Sequence, residues 1–218
     1  NGTSLDPVYF TSLQDDNHGG DTNSDGNATS PVPGDWRTIY VRDGSLVDMQ
    51  NTHVLYSGGI KTGFTPAAFY QEGGVINLVD SSISEAMEIG ILMFDGDTNL
   101  NNTEIDTTLT AINFGLGNLD IDNSTIRDNN QGISLVNDQG VLAVHNTVFQ
   151  DNVSPLSIHA SANFTHGGNT YTGNSVQGVR ITTYDTTKDT TWYADGSTPF
   201  VLTNTSQLFN VSTGTTLT

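Results

Sequence analysis

Cysteine is absent from this 218-residue chain, and proline is scarce. Without cysteine there is no disulfide framework and no site built from thiolate ligands. Long apolar runs are also missing, because none reaches the ~18 residues of a membrane-spanning helix. We therefore expect no insertion into a membrane. Any crosslink or metal site that stabilises the chain must be formed by groups other than thiols.

Basic residues are equally rare. The chain has 6 lysines and arginines against 24 aspartates and glutamates, which gives a formal net charge of −18. This balance argues against nucleic acid, whose phosphate backbone requires a basic surface, and against anionic membranes. It suits a protein that binds divalent cations, or one that works in an environment salty enough to screen self-repulsion.

A 3.6-residue apolar rhythm is missing as well, which makes helices improbable. Instead, short β-branched runs from residue 75 onward repeat with a period of about 22 residues, the pattern of a solenoid. A polar residue recurs once in each repeat, at Asn51, Asp80, Asn102, Asn123, Asn146 and Asn169. Asparagine tolerates the left-handed conformation of tight corners and can hydrogen-bond to its equivalent in the next coil.

The repeat divides one module, residues 1–218, into three parts. Residues 1–36 form a first strand and an acidic loop, 37–182 form coils, and 183–218 form an atypical end segment. The longer interval between Asn51 and Asp80 predicts an insertion near residues 60–72. We place it at residues 61–71, where it covers the flank of the solenoid or makes a lateral contact.

The acidic loop contains the run Asp21-Thr22-Asn23-Ser24-Asp25-Gly26. Oxygen side chains at alternate positions, followed by a glycine, let a short loop wrap a hard cation. The run therefore predicts a calcium loop, with Asp15, Asp16 or Asp35 open as further ligands. An EF-hand is not expected, since no amphipathic helix flanks the run. The alternative is a solvated acidic loop without an ion.

The run FTSLQDDNHGGDTNSDGNATSPVPGDW at residues 10–36, followed by VLYSGG, resembles a segment of right-handed parallel β-helix domains in large secreted and cell-surface microbial proteins. The resemblance implies an all-β, single-stranded right-handed parallel β-helix, a pectate-lyase-like solenoid with coils of about 22 residues. It also implies secretion or display at the cell surface. The calcium ligands that it implies are Asp15, Asp16, Asp21, Asn23 and Asp25.

These features favour a non-enzymatic function, that of a calcium-stabilised extracellular structural or adhesive module. The ending PFVLTNTSQLFNVSTGTTLT is similar to the lead-in of a following module, so both ends read as cut from a longer polypeptide. We expect neighbouring copies or tandem modules as partners through the end rungs, as in a surface filament or sheath.

The alternative is a carbohydrate-binding or carbohydrate-active β-helix. A lyase would use Asp120, Asp122 and Asp128 with Arg127 and Arg180, and Asp120 with Asp122 would be the carboxylate pair of a glycosidase. The scarcity of basic residues weakens the lyase hypothesis. Binding to glycans would require a row of exposed aromatic residues. The candidates do not recur at the ladder spacing: Tyr40, Tyr56, Tyr70 and Tyr171.

Overall fold

The computed structural model describes residues 1–193, 195–196, 198–203 and 206–218. These residues form parallel strands wound into a solenoid, and none of them belongs to a helix. The described part of the chain accordingly has no helix able to span a membrane. The predicted all-β parallel β-helix is confirmed.

The strands form three parallel sheets that run along the solenoid. Sheet I contains β1 (Val8–Phe10), β4 (Thr52–Leu55), β7 (Ser82–Ser84), β10 (Glu104–Asp106), β13 (Thr125–Arg127), β16 (Val148–Gln150) and β19 (Thr170–Thr172). Sheet II contains β2 (Ile39–Val41), β5 (Ala67–Gln71), β8 (Ile89–Met93), β11 (Thr110–Phe114), β14 (Gln131–Leu135), β17 (Ser154–Ile158), β20 (Val179–Ile181) and β21 (Phe200–Leu202). Sheet III contains β3 (Leu46–Gln50), β6 (Val75–Val79), β9 (Asp97–Asn101), β12 (Asn118–Asp122), β15 (Val141–His145) and β18 (Asn163–Gly167).

Each coil passes from sheet I to sheet II and then to sheet III. Equivalent residues of successive coils are paired in register, so that one inward row of sheet I consists of Ile83, Ile105, Ile126 and Phe149, all fully buried. A single coil could not bury such a row by itself, because its apolar face needs the coils above and below. The hydrophobic core is therefore continuous along the solenoid.

The corner from sheet III to sheet I is made by the predicted ladder residues. Five of them have left-handed backbone conformations, with φ between 46° and 50°. They are Asn51, Asp80, Asn102, Asn123 and Asn146. The prediction for Asn169 is wrong by one residue, because Gly168 takes the left-handed position with φ of 69°. Asn169 is buried behind it, where its Oδ1 accepts a hydrogen bond from the Thr147 amide at 2.9 Å.

A second left-handed corner, between sheets I and II, is not evident from the sequence. Its left-handed residues are Tyr56, Glu85, Thr107, Asp128, Asp151 and Gly173. The residue that follows the corner in three successive coils is a buried asparagine: Asn129, Asn152 and Asn174. These side chains hydrogen-bond to one another, Asn129 with Asn152 at 3.1 Å and Asn152 with Asn174 at 3.0 Å. Stacked asparagines therefore lie mainly at this corner, whereas at the predicted ladder Asn102 Nδ2 donates to Asp80 Oδ1 at 2.7 Å.

The insertion in the second coil is shorter than predicted. Residues 67–71 form β5, which pairs with β2 and β8, and Phe69 lies in the core. The extra residues are those before β5, where Lys61 and Phe64 form an isolated bridge. Where an insertion interrupts the repeat, the sequence does not show where the loop ends and the next apolar strand begins. The prediction therefore counted β5 as part of the insertion.

The end segment extends the solenoid irregularly. Strand β21 continues sheet II, and two isolated parallel bridges, Asp185 with Asn210 and Thr190 with Leu217, add a partial rung. Trp192 stacks on Phe200, with 4.9 Å between ring centroids, and also packs against Phe209. Aromatic packing replaces the regular ladder in this segment.

Removal of one buried asparagine tests the ladder. We expect Asn152→Ala to lower the free energy of unfolding by about 3 kcal/mol, because the Nδ2 group satisfies the buried carbonyls of Ile126 and Gln150. Urea denaturation measures the change. Asn99→Ala is the matched control, since Asn99 is exposed and should cost less than about 0.5 kcal/mol. Equal losses in the two variants would contradict a structural role for the ladder.

Candidate metal centre

The acidic loop leaves the solenoid at the corner between β1 and β2, and its two ends are tied together. The Ser12 hydroxyl donates to Asp35 Oδ2 at 2.5 Å, and the Val32 amide donates to the same oxygen at 3.0 Å. Trp36 Nε1 donates to the carbonyl of Leu55 in the next coil at 2.6 Å. Asp35, an open candidate ligand, is thus used to close the loop.

An aromatic stack fixes the first part of the loop against sheet I. The Tyr9 ring lies between His18, at 4.0 Å between centroids, and His53, at 5.0 Å. Burial, followed by the charge of His18, lowers the pKa of His53, which favours a neutral ring in the stack. The loop is therefore anchored on a preformed surface of the solenoid.

The D-x-N-x-D-G run folds as its sequence predicts, in a tight turn. The Asp21 carboxylate accepts hydrogen bonds from the amides of Asp25 and Gly26, both at 3.0 Å. Ser24 and Gly26 have left-handed conformations, with φ of 60° and 75°. This turn brings the carboxylates of Asp21 and Asp25 to the same side of the loop.

Three carboxylates converge there. Oxygens of Asp16, Asp21 and Asp25 lie within 4.8 Å of one another. Asp16 Oδ1 is buried and has no hydrogen-bond partner among the described residues. Burial, followed by the charges of Asp21, Asp25 and Asp15, raises the pKa of the Asp16 carboxyl. A buried, unpartnered carboxylate oxygen beside two like charges is unfavourable unless a cation neutralises it.

The donor set fits calcium. Hard carboxylate oxygens are the ligands that Ca²⁺ prefers, and it accepts irregular geometry in flexible loops. Asp16, Asp21 and Asp25 would hold the ion, and no lysine or arginine occurs between Phe10 and Trp36 to compete for them. An ion with two positive charges would remove the repulsion that raises the pKa of Asp16.

The two other predicted ligands form hydrogen bonds with neighbouring residues. Asp15 is 1% exposed and accepts hydrogen bonds from the Thr11 hydroxyl at 2.5 Å, from His18 Nδ1 at 2.7 Å and from the Asn17 amide at 3.2 Å. Burial alone would raise its pKa, but these hydrogen bonds outweigh that effect and lower it. Asn23 lies beside the cluster, where its Nδ2 donates to Asp25 Oδ2 at 3.0 Å. The structure thus brings three of the five predicted ligands together.

The residues of the alternative lyase site do not converge. Asp120 and Asp122 project from β12 in sheet III, whereas Arg127 lies in sheet I and Arg180 in sheet II. Arg127 forms ion pairs with Glu104, Asp106 and Asp128. These side chains belong to three different faces of the solenoid.

The aromatic candidates for glycan binding behave differently from the sequence expectation. Tyr40 and Tyr70 are register partners on the outer face of sheet II. Leu92 takes the equivalent position in the next coil, and the ring of Phe94, just after β8, lies 5.1 Å from that of Tyr70 between centroids. The spacing of Tyr40 and Tyr70 in sequence exceeds the repeat because the insertion separates them. The equivalence of Tyr40 and Tyr70 is visible in the sequence only after the inserted residues are left out of the alignment of coils.

The fold places the chain in a known class. Residues 66–198 match the family model described as a right-handed β-helix region, so the chain belongs to this family. The match covers more than half of the chain and lies outside the acidic loop. No curated protein and no solved structure matches the chain.

The repulsion at Asp16 has a measurable pH dependence. Because the folded state raises the pKa of Asp16 above 3.8, the calcium-free protein should lose stability as the pH rises through the folded value. Asp16→Asn removes the titration. In calcium-free buffer the melting temperature of the variant should exceed that of the wild type near neutral pH, and the difference should vanish below pH of about 4. A difference that is independent of pH would contradict the raised pKa.

Proposed function

We propose that this protein is a calcium-stabilised extracellular module with a structural or adhesive role. The observation that carries the proposal is the cluster of Asp16, Asp21 and Asp25 with the unpartnered, buried Asp16 oxygen. Extracellular calcium is abundant enough to fill the weak sites, with dissociation constants of about 10⁻⁴ to 10⁻³ M, that are usual in extracellular modules.

Calcium would act on this chain by fixing a loop that lies between the first and second coils. The loop joins β1 to β2, and its base contacts the second coil through Trp36 and Leu55. With the carboxylates neutralised, residues 16–25 would be held against the solenoid instead of being pushed apart. Calcium thus takes the place of the disulfides that the cysteine-free chain lacks.

The rigid solenoid supports a mechanical or display function. Its first strands, β1, β2 and β3, are each paired on one side only within the described residues. Unpaired strand edges are templates for the addition of strands from another chain. Neighbouring copies or tandem modules are the partners that we propose for these edges.

Carbohydrate binding is the alternative, and the row formed by Tyr40, Tyr70 and Phe94 supports it. The row is short, and the Arg42 guanidinium covers one of its rings, that of Tyr40. The Lys61 ammonium covers the neighbouring ring of Phe64, which lies outside the row. We therefore propose the calcium-dependent module as the function and do not assign a catalytic role.

Thermal unfolding with and without calcium tests the proposal. Calcium at 100 times its dissociation constant should stabilise the wild-type protein by about 2.7 kcal/mol, which calorimetry detects as an increase in melting temperature. Asp16→Asn should lose this response. Asp16 is the best ligand to replace because the amides that shape the turn donate to Asp21 instead.

Asp43→Asn is the matched control, since it removes an exposed carboxylate outside the acidic loop. This variant should respond to calcium like the wild type. A wild-type melting temperature that does not change with calcium would refute the proposed role of the ion. A full response of Asp16→Asn would refute the assignment of the ligands.

A further inference from the structure

A groove of about 270 Å³ lies beside the outer face of sheet II, next to the insertion of the second coil. Its lining includes Arg37, Tyr40, Arg42, Lys61 and Phe64, and contains no acidic residue. The calcium loop and the core do not use these side chains. The groove is therefore a separate feature of the molecule.

Half of the basic residues of the chain surround this groove, three of the 6 lysines and arginines. Within the described residues, Arg37, Arg42 and Lys61 form no ion pair with a carboxylate. Arg127, by contrast, contacts three. In a chain with 24 acidic residues, a cluster of three cations without a carboxylate partner is unexpected unless it serves an anion.

Aromatic rings hold two of these cations in place. The Arg42 guanidinium lies 5.0 Å from the centroid of Tyr40, and the Lys61 ammonium lies 4.5 Å from that of Phe64. The two rings meet edge to face, at 86° and 5.8 Å. A hydrogen bond with Glu72 is the main cause that raises the pKa of Tyr40, so this carboxylate is engaged by the phenol. Cation–π contacts orient the two charges. The Tyr40 phenol also accepts a hydrogen bond from Arg42, which by itself lowers the pKa of Tyr40, and the other N–H groups of the two cations are those left for a ligand.

The backbone before the insertion fixes the main chain at the third cation, Arg37. The Gly58 amide donates to the Arg37 carbonyl at 2.6 Å, and the Gly59 amide donates to the Trp36 carbonyl at 2.8 Å. A Cβ atom on Gly59 would lie 2.6 Å from the Gly34 carbonyl oxygen, so only glycine permits this approach. The base of the acidic loop and the insertion together build one wall of the groove.

We propose that this groove binds a compact oxyanion, namely a carboxylate, a sulfate or a phosphate ester. Guanidinium and ammonium groups form strong charge-assisted hydrogen bonds to such groups. The net charge of −18 repels a polyanion far more than a ligand with one or two charges. The volume is also below the usual range for larger ligands, about 300 to 1,000 Å³.

Isothermal titration calorimetry tests the proposal at constant ionic strength, in buffer freed of calcium by a chelating resin. The probes are inorganic phosphate and phenyl phosphate. Both should bind saturably, and Arg42→Gln and Lys61→Gln should each weaken binding at least fivefold. Arg180→Gln is the matched control, because Arg180 is a cation of the same sheet, in β20, that lies outside the groove and donates to the Thr203 hydroxyl at 3.2 Å. It should leave the affinity unchanged.

The two probes distinguish the sources of the oxyanion. Tighter binding of phenyl phosphate would assign an ester carried on a ring, and equal binding would assign the free oxyanion. Absence of saturable binding, or equal weakening by Arg180→Gln, would overturn the proposal. Asp16→Asn should bind both probes like the wild type, so failure of the calcium proposal would leave this result unaffected.

Discussion

Parallel pairing in register is the constraint on which the rest of the structure depends. Neighbouring strands lie about 4.8 Å apart, so each side chain meets the equivalent side chains of the coils before and after it. Any choice of residue is then repeated along the solenoid, whether it is an isoleucine in the core or an asparagine at a corner. A coil of different length is tolerated only where its extra residues leave the stack without displacing the strands.

Extra residues leave the stack of coils at the corner between sheets I and II. The acidic loop of the first coil and the insertion of the second both leave the solenoid there, whereas one or two residues separate the strands at the corner from sheet III to sheet I. The contacts of Gly58 and Gly59 with the base of the acidic loop join the two excursions. As a result, the cluster of carboxylates and the basic groove occupy the same region of a rigid scaffold, with opposite charges.

Much of the fold could be predicted from the sequence, because a repeated coil repeats its polar corner residue. The sequence does not show whether Gly168 or Asn169 takes the left-handed conformation in this coil. Glycine adopts it at least as easily as asparagine, and asparagine is equally suited to the buried position behind it. The second corner was hidden because its left-handed residue is of five different types in six coils, from Tyr56 to Gly173. Side-chain partners distinguish the candidate ligands from one another. Asp15 and Asp16 are adjacent and chemically identical, and only the contacts of Thr11 and His18 show which one faces away from the cluster.

Hydrogen exchange of the backbone amides, measured with calcium and after its removal, tests most directly whether a rigid solenoid holds a calcium-dependent loop. We predict slow exchange in the strands of sheets I to III under both conditions, and protection of the amides of residues 16–26 that increases only when calcium is present. Unchanged exchange of the loop, or a calcium effect spread evenly over all coils, would contradict this account.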